Sequence, residues 1–304
     1  MTSGRQVGSR DPGHMEEFVM AATFDPELYK RTTMEQWQGA AASWYAWGPV
    51  LEVWLGESTD RMLDCAHLRP GDDVLDVAAG AGGQSIAAAL RVGPKGRVLA
   101  TDIAPRILEF AEAAARANGL TNVTTRVADG EDLAAEPGRF DAAISRLGLI
   151  YFPNRAGSLA GIRQALRPGG RIAVITYSTP ERNAFFSTPV NLVRDRAQLP
   201  PPAAGQPGPF SLGDDGMLEA ELVSAGFTEV TVDAIDAPLR MASAAEYTRF
   251  AKDSFGALHQ MLSGLEDAAR DQAWTDIEAA MSAYDGPDGF VGPCELLVGA
   301  GTRP

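Results

Sequence analysis

Cysteine and histidine are scarce in this chain. Only Cys65 and Cys294 occur, far apart and with no C-x-x-C pair, and the histidines number three: His14, His67 and His259. That spacing offers no thiolate metal site, and three scattered histidines offer no His-rich one, so no metal is expected. Two isolated thiols suit a reducing compartment, and a cytoplasmic location is expected. Basic residues are also outnumbered, 26 Lys and Arg against 40 Asp and Glu, for a net charge of −14. Phosphate backbones and anionic lipid surfaces reward Lys and Arg, so nucleic acid is not an expected partner. No apolar stretch reaches the roughly 18 residues of a membrane span, and no signal-like apolar segment opens the chain, so no stable membrane insertion is expected. What is plentiful is apolar and small: 45% of the 304 residues are hydrophobic and 32 are glycine. That is enough for one large domain, or a domain with a cap.

The organising stretch is Val74 to Gly83. Val74 to Val77 form a short apolar run, the mark of a strand buried on both faces. Small residues follow from Ala78 to Gly83, and Ile86, Ala87 and Leu90 then fall at helical spacing. A strand, a tight turn and a helix bring backbone N–H groups close to a ligand with no side chain in the way. In open α/β sheets ligands sit at the carboxyl ends of the strands. A dinucleotide turn wants G-x-G-x-x-G, but counting from Gly80 the third glycine position is Ser85. That argues against an NAD-dependent oxidoreductase. Asp76-x-Ala78-x-Gly80-x-Gly82 fits D-x-G-x-G-x-G with Ala78 in a glycine position, and so resembles motif I of class I S-adenosylmethionine (SAM) methyltransferases. The competing reading is a glycine-rich turn that binds nothing.

Along the chain, residues 1–14 lack periodicity and read as a disordered expression tag before Met15. Thr33 and Gln36 form a capping box that predicts a helix start, and Trp37, Ala41, Trp44 and Tyr45 follow on one face. Gly48-Pro49 predicts a break and a second helix, and Ser58 a cap for a third, to about His67. Four of the five tryptophans lie between 37 and 54, either as packing or as an aromatic roof over a substrate. After the glycine turn a second strand runs from Arg97 to Ile103 and ends in Asp102, 20 residues past Gly82. An acid there can accept bonds from two ribose hydroxyls; otherwise it is a helix N-terminal acid before Pro105. A third strand ends at Asp129-Gly130, where an acid can take the adenine amino group and Leu133 can flank the ring, or where it is a plain turn acid. Phe140 to Arg146 is a fourth strand, leading into an apolar loop from Leu147 to Asn154 at the topological switch point. Arg171 to Tyr177 is a fifth. Residues 179–213 are rich in Pro and Ala, 243–284 read as helical, and Phe227 to Ile235 and Cys294 to Ala300 read as two last strands.

Asp76 to Gly82, Thr101-Asp102, Ala128-Asp129-Gly130, Phe140-Asp141 and Leu166-Arg-Pro-Gly-Gly170 recur in order. Together they resemble class I SAM methyltransferases, in the branch similar to ubiquinone/menaquinone-biosynthesis and bacterial natural-product tailoring enzymes. The resemblance covers about 33–180 well and the C-terminal third loosely. It implies an α/β fold: a Rossmann-like seven-stranded mixed sheet, order 3-2-1-4-5-7-6, helices on both faces and a helical cap. The expected divisions are a helical lid over 15–68, a SAM-binding core over 69–178, a cap insertion over 179–213, and the rest of the core over 214–304 with a helical cap at 243–284. The cofactor is then S-adenosyl-L-methionine, on Asp76, Ala78, Gly80, Gly82, Asp102, Ile103, Asp129, Gly130 and Arg146.

SAM carries an activated methyl, so a site of this kind needs alignment more than a strong catalytic residue. Apolar and aromatic flanking segments imply a hydrophobic small molecule, aromatic, quinone-like or terpenoid, methylated on carbon or oxygen. Trp44, Tyr45, Leu147 and Tyr151 are the expected substrate contacts. Tyr45, His259 and Tyr151 are the weak catalytic candidates: His259 as a base if the acceptor is a hydroxyl, the aromatic faces for a carbocation if it is an alkene. His67 precedes the first strand, at the far end of the sheet. The rival readings are a SAM-fold protein without methyl transfer, such as a SAM-assisted cyclase or a ligand-binding module. A homo-oligomer is left open.

Overall fold

In a computed structural model, residues 24–203 and 205–304 are described; the expected tag, Met15 and His14 lie outside them. The centre is a seven-stranded sheet in the order β3-β2-β1-β4-β5-β10-β6. Its strands are β1 (Asp73–Val77), β2 (Arg97–Asp102), β3 (Val123–Val127), β4 (Phe140–Arg146), β5 (Leu166–Tyr177), β6 (Thr228–Asp236) and β10 (Glu295–Thr302). The first five pair in parallel, and β10 runs antiparallel to both β5 and β6. With β10 as the seventh strand, this is the expected order and a mixed Rossmann-like sheet.

The reason lies in the side chains. Val74, Leu75 and Val77 of β1, Ala142 to Ile144 of β4 and Ile172 to Ile175 of β5 are buried, as central strands covered on both faces require. Helices α3 (Gly83–Val92), α4 (Pro105–Ala117) and α5 (Arg155–Ala165) connect them. Helix α4 turns Ile107, Leu108, Ala111 and Ala115 inward and starts on a proline, whose fixed φ suits a first helical turn. Asn154 caps α5 by accepting the Gly157 N–H at 3.0 Å.

The flanking segments correct two expectations. Helix α1 (Pro26–Ala46) starts well before Thr33, because Asp25 with Pro26 at the first position is the stronger start signal. Asp25 accepts the Glu27 and Leu28 N–H groups at 3.0 and 3.1 Å, and Thr33 lies inside the helix. Helix α2 (Gly48–Cys65) runs unbroken through Ser58, whose hydroxyl donates to the Leu55 carbonyl at 2.9 Å. Its apolar stripe of Leu51, Trp54, Leu55, Met62 and Leu63 continues across that position and outweighs a local cap. Residues 179–213 hold helix α6 (Ala184–Arg196), which buries Phe185, Phe186 and Val193 despite Pro189. Helix α7 (Met217–Ser224) precedes β6. The helical stretch from 243 divides into α8 (Ala244–Ser254), α9 (Gly256–Leu262) and α10 (Asp267–Met281). A small sheet unread in the sequence, β7 (Leu239–Met241), β8 (Asp285–Gly286) and β9 (Gly289–Gly292), clasps the ends of that stretch. None of the described helices is long and apolar enough to cross a membrane.

Candidate active site

The turn after β1 separates what faces the ligand crevice from what supports it. Gly80 has φ +57°, and a Cβ there would project toward Ile107 and Trp44, each 3.9 Å away, across open space. Ala78 holds the same left-handed conformation at φ +58° with a side chain. It fits because its Cβ packs where Gly148 has none. Gly82 has another duty. At φ +87° a Cβ would come within 2.9 Å of Ala111, so this glycine lets α3 pack on α4 and does not line the crevice. Asp76 is also behind the turn, wholly buried: Ser85 donates to one carboxylate oxygen and Gln84 Nε2 to the other at 3.3 Å. Burial pushes its carboxyl up to about 7, against the pull of those two bonds. Asp76 and Gly82 were expected to touch the cofactor; they set the turn and the start of α3 instead.

Asp102 at the end of β2 faces the crevice. Its two oxygens accept the Gly80 N–H and the Ala104 N–H, each at 3.0 Å, which fixes the carboxylate against the turn. Burial raises its pKa, and the N–H groups of Ala104, Gly80 and Ile103 oppose the rise. Ile103, Asp129 and Gly130 line the same crevice. Phe152 lies so close over Gly130 that no side chain fits there. Leu133 is buried and does not line the crevice, whereas Phe152 does. Lys30 of α1 reaches Asp129 Oδ2 at 2.8 Å and Glu131 Oε2 at 2.6 Å. Burial would lower its pKa, but the two carboxylates outweigh that and raise it.

Arg146, at the end of β4, is a half-buried cation with no carboxylate at ion-pair distance among the described residues. Its Nη1 donates to Thr59 Oγ1 at 2.9 Å, and its Nη2 lies close to the first turn of α3, 2.9 Å from a Cβ placed on Gly83. Burial brings its pKa down to about 10, with Asp76 and Tyr177 opposing. Leu147 follows in a left-handed turn at φ +59° and lines the crevice.

Beyond Arg146 the crevice widens into an aromatic chamber, the whole cavity having a volume of about 810 Å³. Trp44, Tyr45 and Tyr151, the candidates for substrate contact, line it. Trp37 stands edge-on to both Trp44 and Tyr151, at 5.3 and 6.2 Å between ring centres. Tyr45 stacks on Phe110 at 5.0 Å and is partly exposed, so it sits at the rim. Trp54 is core, its indole donating to the Ala237 carbonyl at 2.8 Å. His259 is not brought to the cavity. It lies exposed on α9, its ring 5.2 Å from Trp274 and its Nε2 at the Lys252 carbonyl. The helix carries that face outward, which removes it as a base. His67 is exposed ahead of β1.

Lys30, Thr59, Tyr177, Phe186, Ser254 and Phe255 line the cavity without having been singled out in the sequence. Tyr177 had a signal, as the last residue of the strand beside β4. The others come from helices whose approach no local pattern encodes. Among the described residues no group of three or more His, Cys, Asp and Glu could hold a metal ion.

The cavity fits SAM on its own terms: a cradle at Gly80 that a Cβ would fill, a fixed acid beside it in Asp102, and a cation without a carboxylate in Arg146. Comparisons with known proteins agree. The family model of a methyltransferase domain matches residues 68–199. The chain is 35% identical over 194 residues to nocamycin O-methyltransferase of Saccharothrix syringae, covering 60% of this chain and 69% of that one. It is 35% identical over 113 residues to aklanonic acid methyltransferase of Streptomyces sp. (strain C5), covering 37% and 51%. Its fold is shared with phosphoethanolamine N-methyltransferase 2 of Haemonchus contortus, solved with S-adenosylhomocysteine, at a TM-score of 0.53 and 17% identity over 86% of this chain and 57% of that one. The chain therefore belongs to the SAM-dependent methyltransferase family, whose cofactor is S-adenosyl-L-methionine.

Proposed function

We propose that this protein methylates a hydrophobic small molecule, aromatic, quinone-like or terpenoid, on oxygen or carbon, in bacterial secondary metabolism. One observation carries the reading: a single cavity joins Gly80, Asp102 and Asp129 to the aromatic chamber of Trp37, Trp44, Tyr151 and Phe255. Cofactor and acceptor can thus meet away from water. The names of the nocamycin and aklanonic acid relatives support a small-molecule acceptor.

Bound SAM supplies a methyl already activated by its positively charged sulfur. The protein's residues align and enclose. Asp102 receives the ribose hydroxyls, and Asp129 the adenine amino group, between Ile103 and Phe152. The backbone of Ala78 to Gly80 gives the close approach, and Arg146 meets the carboxylate end. Leu147, Trp44 and Tyr151 hold the acceptor. In this reading the helices up to residue 68 close the site as a lid over the core of 69–178. The segments 179–213 and 243–284 cap it, with 214–304 completing the core. A cytoplasmic location and a homo-oligomer belong to the same proposal.

Calorimetric binding of SAM, S-adenosylhomocysteine and NAD tests it. Micromolar binding of the first two without NAD, followed by S-adenosylhomocysteine release with an apolar acceptor, is the expected result. Turnover only with a highly charged substrate or with protein would refute the acceptor class. An altered acceptor without S-adenosylhomocysteine release would favour the cyclase alternative.

A further inference from the structure

The acceptor side of the cavity is rich in hydroxyl donors and holds no free base among the described residues. Every carboxylate lining it is engaged or at the rim. Asp102 accepts two backbone N–H groups, and Asp129 and Glu131 hold Lys30. Asp60 is bound by Arg91, and Glu52 is exposed on α2. No described histidine lines the cavity. Tyr151 and Tyr177 do line it, and neither hydroxyl has a hydrogen-bond partner among the described residues. Tyr177 is only 6% exposed, and its neighbours Tyr247 and Asn183 find partners of their own. Burial raises the pKa of both phenols, although Arg146 opposes the rise at Tyr177, which Cys294, Tyr151 and Tyr247 also face. They are donors at neutral pH, and they cannot take a proton from an acceptor.

We infer that the acceptor carries a carboxylate, one oxygen held by the Tyr151 and Tyr177 hydroxyls and the other left to receive the methyl. This rests on the proposed methyl transfer and names its substrate class. A neutral hydroxyl must lose a proton as it reacts, and the described residues of these walls offer nothing to take it. A carboxylate is already ionised at neutral pH. Its lone pair forms the new O–C bond while the methyl–sulfur bond breaks and leaves its electron pair on sulfur. The products are a methyl ester and S-adenosylhomocysteine, and no proton moves.

The apolar walls point the same way. Transfer from a sulfonium to an anion cancels two opposite charges, so poorly solvating surroundings raise the separate ions above the transition state. Transfer to a neutral acceptor only relocates one charge and gains nothing comparable. Bringing a carboxylate into an aromatic chamber has a desolvation cost, and donors to an anion, about twice as strong as donors to a neutral group, offset it. Two unpaired phenols meet that requirement.

The test is calorimetry on the full chain saturated with S-adenosylhomocysteine. The probes are 2-naphthoate and anthraquinone-2-carboxylate against their carboxamides. At least tenfold tighter binding of an acid than of its amide is expected. Tyr151→Phe and Tyr177→Phe should each weaken the acid three- to tenfold, weaken the amide less than the acid, and leave the S-adenosylhomocysteine affinity in place. Equal binding of acid and amide, no binding of either, or an acid affinity untouched by both substitutions would overturn the inference. Failure of S-adenosylhomocysteine itself to bind would instead bring down the methyltransferase reading on which it rests.

Discussion

Asp76 is the residue on which the turn depends, and its chemistry is set by burial. It touches no cavity, yet its carboxyl organises Gln84 and Ser85 at the start of α3. In the unfolded chain it ionises near pH 4, and in the folded protein near 7. Between these values the folded state keeps a proton that the unfolded state gives up. The stability linked to the neutral carboxyl is therefore complete below about pH 4 and is lost as pH rises through about 7. Asp102, also raised, acts with the same sign. Urea midpoints should fall from pH 5 to pH 7.5, and Asp76→Asn should flatten that slope without removing the share from Asp102. An unchanged slope in the variant would remove Asp76 as its source. The motif spelled this residue correctly, but it could not say that Asp76 supports the turn while Asp102 faces the crevice.

Helix α1 is the element that turns an open crevice into a chamber. It is fastened at points distant in sequence. The Tyr29 hydroxyl donates to Pro207 O at 3.3 Å, Lys30 bridges Asp129 and Glu131, Gln36 meets Gln260 of α9, and Gln38 accepts the Arg106 N–H at 2.8 Å at the start of α4. The tie at Lys30 is partly exposed, which limits its worth to about 1 kcal/mol. It is also the tie nearest the adenine end, on the very carboxylate assigned to the adenine amino group. Lys30→Met should leave the fold intact and speed hydrogen exchange along α1 a few-fold. It should also raise the S-adenosylhomocysteine dissociation rate. Unaltered exchange in α1 would show that the other ties hold the helix alone. The sequence announced α1 by its aromatic face and misplaced its start, since Asp25-Pro26 lies outside that face.

At the scale of the molecule, the cavity is bounded by segments spread from Lys30 to Ala257. Helix α1, the loops after β1, β2, β3 and β4, and the α8–α9 junction all contribute to it. Ligand binding should therefore stabilise the domain as a unit. S-adenosylhomocysteine at about 100 times its dissociation constant is worth about 2.7 kcal/mol. Its thermal midpoint should rise by several degrees, with no shift from NAD at the same concentration. Separate transitions for α1 and for the sheet, with only one of them moved by ligand, would break that unity.

The sequence by itself determined the sheet and its cofactor crevice. The small-residue turn from Ala78 to Gly83, the acids ending β2 and β3, and the apolar runs of β1, β4 and β5 are local patterns. Right-handed βαβ connection leaves them few ways to assemble. Only the tertiary structure decided the rest. Whether Gly82 faces ligand or Ala111, whether His259 faces the cavity or Trp274, and where Lys30, Phe186 and Phe255 arrive all depend on how helices are packed across the sheet. That packing is fixed by contacts between segments far apart in sequence, such as Gln36 with Gln260, 224 residues away, and no window of the sequence contains both sides of such a contact.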